Sequence, residues 1–359
     1  MELSIEQEYA SSARAAGLFY VTDEMPGIRR RRHGRGFSYV DPEGRTIRDP
    51  QALRRFRSLV IPPAWTEVWI CPDPNGHLQV TARDARGRKQ YRYHPGFRQQ
   101  RDGIKFERMI SFSDVLLAIR ERVEHDIALP GLPRAKVMAT VVWLLERTLI
   151  RIGSNEYAKA NKSFGLTTLR QRHVRVIGSK LRFDFRGKSG VVHSVAVMDR
   201  RIARIVQRCQ ELPGQELFQY VDDDGARQSV NAEDVNAYLH EIAGRDVTAK
   251  DFRTWAGTML TAEALRAAGP APSRRQAEKN IVAAIDRTAE RLGNTRSVCR
   301  KYYIHPELLD AYLEGSVLPP MPEPVWRERR AAAMPLRQHE AEVLAFLKAR
   351  LERRSSAVA

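Results

Sequence analysis

Among 359 residues there are three cysteines, Cys71, Cys209 and Cys299. They are few, odd in number and widely spaced, with no CxxC pair. That excludes a disulfide framework and the usual cysteine zinc patterns. Free thiols in a reducing cytoplasm are expected. No apolar run approaches the roughly 20 residues of a membrane span. The opening stretch, MELSIEQEYASSARAAG, is mixed in charge and lacks an apolar signal core. Neither a membrane nor export is expected. Carboxylates are outnumbered, and no cluster of them has metal-ligand spacing; DDD at 222–224 reads as a polar turn. A phosphate loop is missing as well. GKS at 187–189 would need a glycine at 182, where Arg182 stands, and its flanks read as strands rather than strand and helix. No bound nucleotide, metal or cofactor is expected.

What is present in excess is positive charge. Sixty Lys+Arg against 43 Asp+Glu give a net charge of +17. Such an excess in a soluble chain points to a polyanionic partner, and the RRRRHGR run at 29–35 adds to it. The length allows two domains with separate cores. Up to about residue 98 the pattern is β-rich, with turns at DPEG (41–44) and DPNG (73–76). Asp49 caps a short helix between them. Helical spacing then dominates, with helices expected at 99–109, 112–127, 133–152 and 154–162. A three-stranded β-meander, HVRVIG, KLRFDFRG and VVHSVAV, interrupts it. From 199 to 318 the pattern is helical again. LPPMPEPVW at 318–326 reads as a linker. The stretch 337–354 reads as a basic amphipathic helix with Val343, Leu344, Leu347 and Leu351 on one side.

Four places carry chemistry. Lys188 sits at a hairpin tip whose root is packed by alternating Leu181, Phe183 and Phe185. Arg151 falls at the end of an apolar helix, where a cation is costly without an anion; Glu146 and Glu156 are the alternative partners. Thr248 reads as an N-cap, which puts Lys250 and Arg253 in a first turn that the helix dipole makes unfavourable for cations. An anion held jointly by helix end and side chains would explain them. RKYYIHPELL at 300–309 offers two adjacent tyrosines behind two cations. Tyrosine ordinarily titrates near pH 10, so a tyrosine nucleophile needs cations around it. Two arginines, a lysine and a tyrosine without metal ligands suggest phosphoryl transfer through a phosphotyrosine.

These segments, in order, resemble the type IB DNA topoisomerases, in their short poxvirus-like bacterial branch. IPPAWTEVWICPDPNGHLQ and ARGRKQYRYHP resemble the DNA-clamping module. LIRIGSNEYAKANKSFGLTTLR, FDFRGKSG, AKDFRTWAGT and GNTRSVCRKYYIHP resemble the catalytic segments. The resemblance implies an α+β fold: a small β-rich N-terminal domain (1–98), a mainly helical catalytic domain with the meander (99–318), and a linker with a basic helix (319–359). The two domains would form a C-shaped clamp on duplex DNA. It selects Tyr303 as nucleophile, leaving Tyr302 as the packing residue, and makes Arg151, Lys188 and Arg253 catalytic. A phosphate-binding histidine of the viral and eukaryotic enzymes falls on Asn294, which can donate a hydrogen bond but carries no charge. Arg88, Lys89, Gln90, Tyr91, Tyr93 and Lys250 are expected to face DNA. A monomer relaxing supercoils of both signs without ATP or metal is implied. The alternatives are a tyrosine recombinase, which would carry His-x-x-Arg where Lys250 to Arg253 stand, and a noncatalytic DNA-binding protein.

Overall fold

Apolar alternation in residues 28–93 builds a five-stranded antiparallel sheet. The computed structural model describes residues 5–34, 36–222, 224–316 and 337–358. After helix α1 (Ile5–Ala15) come β1 (Ile28–His33), β2 (Gly36–Val40), α2 (Pro50–Ser58), β3 (Thr66–Ile70), β4 (Leu78–Arg83) and β5 (Lys89–Tyr93). The sheet order is β2-β1-β3-β4-β5. Ile28, Val68, Ile70, Val80 and Ala82 form its buried face, and Phe56 of α2 packs onto it. Asp49 caps α2 through a 2.6 Å bond from the Ala52 amide, worth about 1 kcal/mol. Arg29 to Arg32 of the arginine run lie in β1. Arg30 turns inward to the carbonyls of Ile61, Pro62 and Trp65, while Arg29, Arg31 and Arg32 stay exposed.

The rest of the chain is mainly helical. It comprises α3 (Pro95–Ala128), α4 (Arg134–Thr148), α5 (Asn155–Asn161), β6 (Val174–Ile177), β7 (Lys180–Arg186), β8 (Val192–Met198), α6 (Arg200–Glu211), β9 (Gln219–Val221), β10 (Arg227–Ser229), α7 (Ala232–Ala243), α8 (Ala249–Ala268), α9 (Arg274–Leu292), α10 (Arg296–Tyr302), α11 (Pro306–Leu313) and α12 (Gln338–Val358). The fold is α+β, as expected. The chain divides into units Met1–Glu107 and Arg108–Ala359, a division that falls inside α3. The two helices expected at 99–109 and 112–127 are this single helix. No proline or glycine separates them, and the Ser113 hydroxyl is satisfied by the Ile110 carbonyl within the turn. Residues 219–229, read as helical, instead form the β9-β10 hairpin around Asp222, whose carboxylate takes the Ala226 amide. The linker at 318–326 lies outside the described residues.

The second unit has one continuous core. Phe112, Leu116 and Ile119 of α3, Val141, Leu144 and Leu145 of α4, and Phe252 and Trp255 of α8 contribute to it. The meander β6-β7-β8 lays Leu181, Phe183 and Phe185 onto the same core. Val343, Leu344 and Leu347 of α12 are buried in it too. The apolar side expected of that helix is therefore an internal face.

Candidate active site

Helix α4 stops because Leu149 turns left-handed, with φ of 57°. This carries the chain sharply to Arg151. Arg151 Nη2 donates to the Gly293 carbonyl at 3.0 Å and to Asn294 Oδ1. Gly293 and Asn294 follow directly on the C-terminus of α9, where Gly293 takes φ of 58°. Neither carboxylate considered from the sequence pairs with Arg151. Glu146 instead holds Arg120. Burial pushes the Arg151 guanidinium down from its ordinary value, and Arg253 adds to the effect. The two arginines are near enough to repel, so the pair is set for a shared anion.

Arg253 is 4% exposed. Its fork donates to two backbone carbonyls, those of Leu149 and of Leu292, the latter at 2.7 Å. Two helix C-termini, α4 and α9, thus hold one guanidinium, as the sign of the helix dipole favours. Its Cζ lies 5.3 Å from the Tyr303 ring centroid. Burial lowers the Arg253 pKa and the Tyr303 hydroxyl opposes that. Joint anion binding at the N-terminus of α8 is not what these residues do. That end is closed by its own capping box, in which Asp251 Oδ2 accepts from the Thr248 amide and hydroxyl. Asn236 Oδ1 takes the Ala249 amide. Lys250 is exposed.

Tyr303 closes α10 and is partly buried against the core. Thr258 Oγ1 lies within 3.4 Å of its carbonyl and also receives the His305 amide. Gly257 allows this approach. A methyl group there would sit 2.4 Å from the Tyr303 carbonyl oxygen and 2.9 Å from its Cβ. The expectation that Tyr302 is the residue that packs is not met. Tyr302 is 40% exposed and lies beside Lys301. Tyr303 is the one that packs, because packing is what holds its ring at Arg253.

Lys188 rises at the β7-β8 hairpin tip, where Ser189 takes a left-handed φ of 63°. It is exposed, 6.0 Å from the Tyr157 ring centroid. Arg151, Tyr157, Phe164, Phe185, Lys188 and His193 line one cleft of about 230 Å³. Arg253, Asn294 and Tyr303 adjoin it through Arg151. Asn294 Nδ2 and Arg253 Nε are buried without a hydrogen-bond partner among the described residues. Buried donors left open in this way are costly unless a ligand meets them.

Among the DNA-facing expectations, β5 divides its side chains. Tyr91 is 47% exposed and stacks on Tyr93 at 6.1 Å. Tyr93 packs on Phe97, and burial raises its hydroxyl pKa. Lys89 pairs with Asp23 at 2.7 Å. Arg88 and Gln90 are both held by Asp84. The sequence reasoning passed over His193, Gly257 and Thr258. For His193 a signal existed, since alternation in β8 puts it on the inward side with Val195 and Val197.

Residues 94–315 match the family described as eukaryotic DNA topoisomerase I, catalytic core, and residues 36–84 match the bacterial DNA topoisomerase IB N-terminal domain. The DNA topoisomerase 1B of Acanthamoeba polyphaga mimivirus is 32% identical over 296 residues, covering 80% of this chain and 88% of the viral one. The chain belongs to the type IB DNA topoisomerases. The vaccinia virus (strain Copenhagen) DNA topoisomerase 1B and the monkeypox virus DNA topoisomerase I are each 23% identical over 247 residues, with 67% of this chain and 74% of theirs covered. The topoisomerase is thus an isomerase acting on DNA, and its catalytic-core match spans all five expected catalytic positions. Helix α12 lies beyond both matched regions.

Proposed function

We propose that the topoisomerase breaks one strand of a duplex with Tyr303 as nucleophile. The Tyr303 hydroxyl gives its proton to solvent, and its oxygen attacks a backbone phosphorus and forms a 3′-phosphotyrosine. The bond to the 5′-oxygen breaks, and the Lys188 ammonium gives that oxygen its proton. Arg151, Arg253 and Asn294 donate to the nonbridging oxygens as charge builds on them. The free end swivels about the intact strand, which relaxes supercoils of either sign. The 5′-hydroxyl then returns its proton to Lys188 and displaces the tyrosine. The ester bond is conserved throughout, so no ATP is consumed. Guanidinium groups supply the charge that a metal would otherwise bring.

The observation that carries this reading is the meeting of open donors with a ring. Arg253 faces Tyr303 at 5.3 Å. Asn294 Nδ2 and Arg253 Nε are buried and unpartnered among the described residues. A phosphate between them would satisfy both. The N-terminal sheet, with exposed Arg29, Arg31, Arg32 and Tyr91, would offer the duplex further contacts. The protein would act as a monomer in the cytoplasm on the nucleoid. Relaxation of positively and negatively supercoiled plasmid, in EDTA and without ATP, tests the reading. Wild type and Tyr302→Phe should relax both, and Tyr303→Phe neither while still binding duplex. Activity surviving in Tyr303→Phe would overturn it.

A further inference from the structure

His193 is absent from the reaction just described, yet it lines the same cleft as Arg151 and Lys188. It stands in β8 opposite Phe185 and stacks on that ring at 5.1 Å. Its other sides meet two glycine backbones. A methyl group on Gly187 would lie 2.6 Å from the ring's Cδ2 and Nε2. A methyl group on Gly293 would lie 2.6 Å from its Cε1. Gly187 directly precedes Lys188. Gly293 directly precedes Asn294, and its carbonyl receives Arg151. Gly187 has φ of −96°, a conformation open to any residue. The backbone does not require a glycine there; the ring does. Among the described residues neither ring nitrogen of His193 carries a hydrogen bond, so shape rather than polarity holds the contact. Burial, with Arg151 and Arg253 nearby, lowers the imidazole pKa.

We propose that His193 is a positioning residue for the general-acid lysine: its imidazole is the spacer that sets the Lys188 hairpin against the helix end bearing Asn294. The inference rests on the assignment of Lys188 as proton donor. Removing the ring leaves the hairpin tip free to settle toward α9 by part of a ring's thickness. A misplacement of about 1 Å can slow a reaction on the order of 10²-fold.

The test is single-turnover cleavage of two duplexes. One has an ordinary phosphodiester at the cut. The other has sulfur in place of the 5′-bridging oxygen, and a thiolate leaves without needing a proton. His193→Ala should slow the ordinary duplex by on the order of 10- to 100-fold, leave the sulfur duplex near the wild-type rate, and leave noncovalent affinity unchanged. Gly187→Ala should slow cleavage by clashing with the ring, and the double variant, in which the new methyl occupies the vacated space, should recover part of the loss. Equal slowing on both duplexes, or no slowing, would overturn the proposal. So would a double variant no better than the worse single one. Lys188→Ala is measured alongside. If it is slowed and rescued by sulfur while His193→Ala is not, the spacer role alone fails. If Lys188→Ala is not rescued, the lysine's assignment as acid fails, and the spacer proposal with it.

Discussion

Arg253 reaches its working position before any DNA arrives, because the Leu149 and Leu292 carbonyls already hold two of its donors. Arg253→Lys keeps a charge but cannot bridge two carbonyls with a planar fork. It should lower the cleavage rate on the order of 10²-fold at unchanged duplex affinity, and an unaltered rate would remove Arg253 from the site. Gly257→Ala gives a sharper sign. Alanine within a helix normally stabilises by about 1 kcal/mol over glycine. Here the methyl meets the Tyr303 backbone, so melting temperature and cleavage rate should both fall; a rise in melting temperature would deny the close approach. These two residues also mark the limit of what the sequence discloses. Arg151, Arg253 and Tyr303 stood out because each breaks a local rule: a cation at the rim of an apolar face, a cation in a first turn, paired tyrosines. Gly257 and His193 break none. A glycine within a helix and a histidine within a strand acquire meaning only from residues far along the chain that fold against them.

Among the elements, α12 shows how a correct local reading can miss a tertiary role. Its apolar side was plain from spacing, but spacing does not say what covers it. Glu340 of α12 is 3% exposed. It accepts two bonds of 2.9 Å from Arg120 of α3 and one of 3.1 Å from Trp255 Nε1 of α8. Burial pushes the Glu340 carboxyl up, yet Arg120 and Trp255 outweigh it and hold it at about 2, below its ordinary 4.5. A depressed acid stabilises the fold above its ordinary pKa and stops doing so as pH falls toward the folded value. That difference corresponds to about 3 kcal/mol. Glu340→Gln should therefore melt well below wild type at pH 7, and the gap should shrink as pH falls from about 4.5 toward 2. A gap independent of pH would mean that the carboxylate's charge is not what α12 contributes. The meander and the N-terminal strands were legible because period-two alternation was unbroken. The union of two expected helices into α3, and the β9-β10 hairpin in a helical stretch, were settled by packing and turn bonds that local pattern does not encode.

For the molecule as a whole, the charge of +17 should set the binding law. A duplex partner held through phosphates releases counterions, so the logarithm of affinity should fall linearly and steeply with the logarithm of salt. Measured with Tyr303→Phe to prevent cleavage, a flat response would remove the phosphate contacts from the proposal. One further consequence follows from the cysteines. All three are buried, and burial raises the pKa of each thiol, Cys209 to about 12. Cys71 belongs to the first unit and Cys209 and Cys299 to the second, with Cys299 on α10 and its carbonyl accepting the Tyr303 amide. An alkylating reagent can reach each only when its surroundings open. The unaltered chain therefore carries three chemical clocks, and mass spectrometry of timed labelling would read the opening of the N-terminal sheet, the catalytic core and the tyrosine segment separately in a single sample.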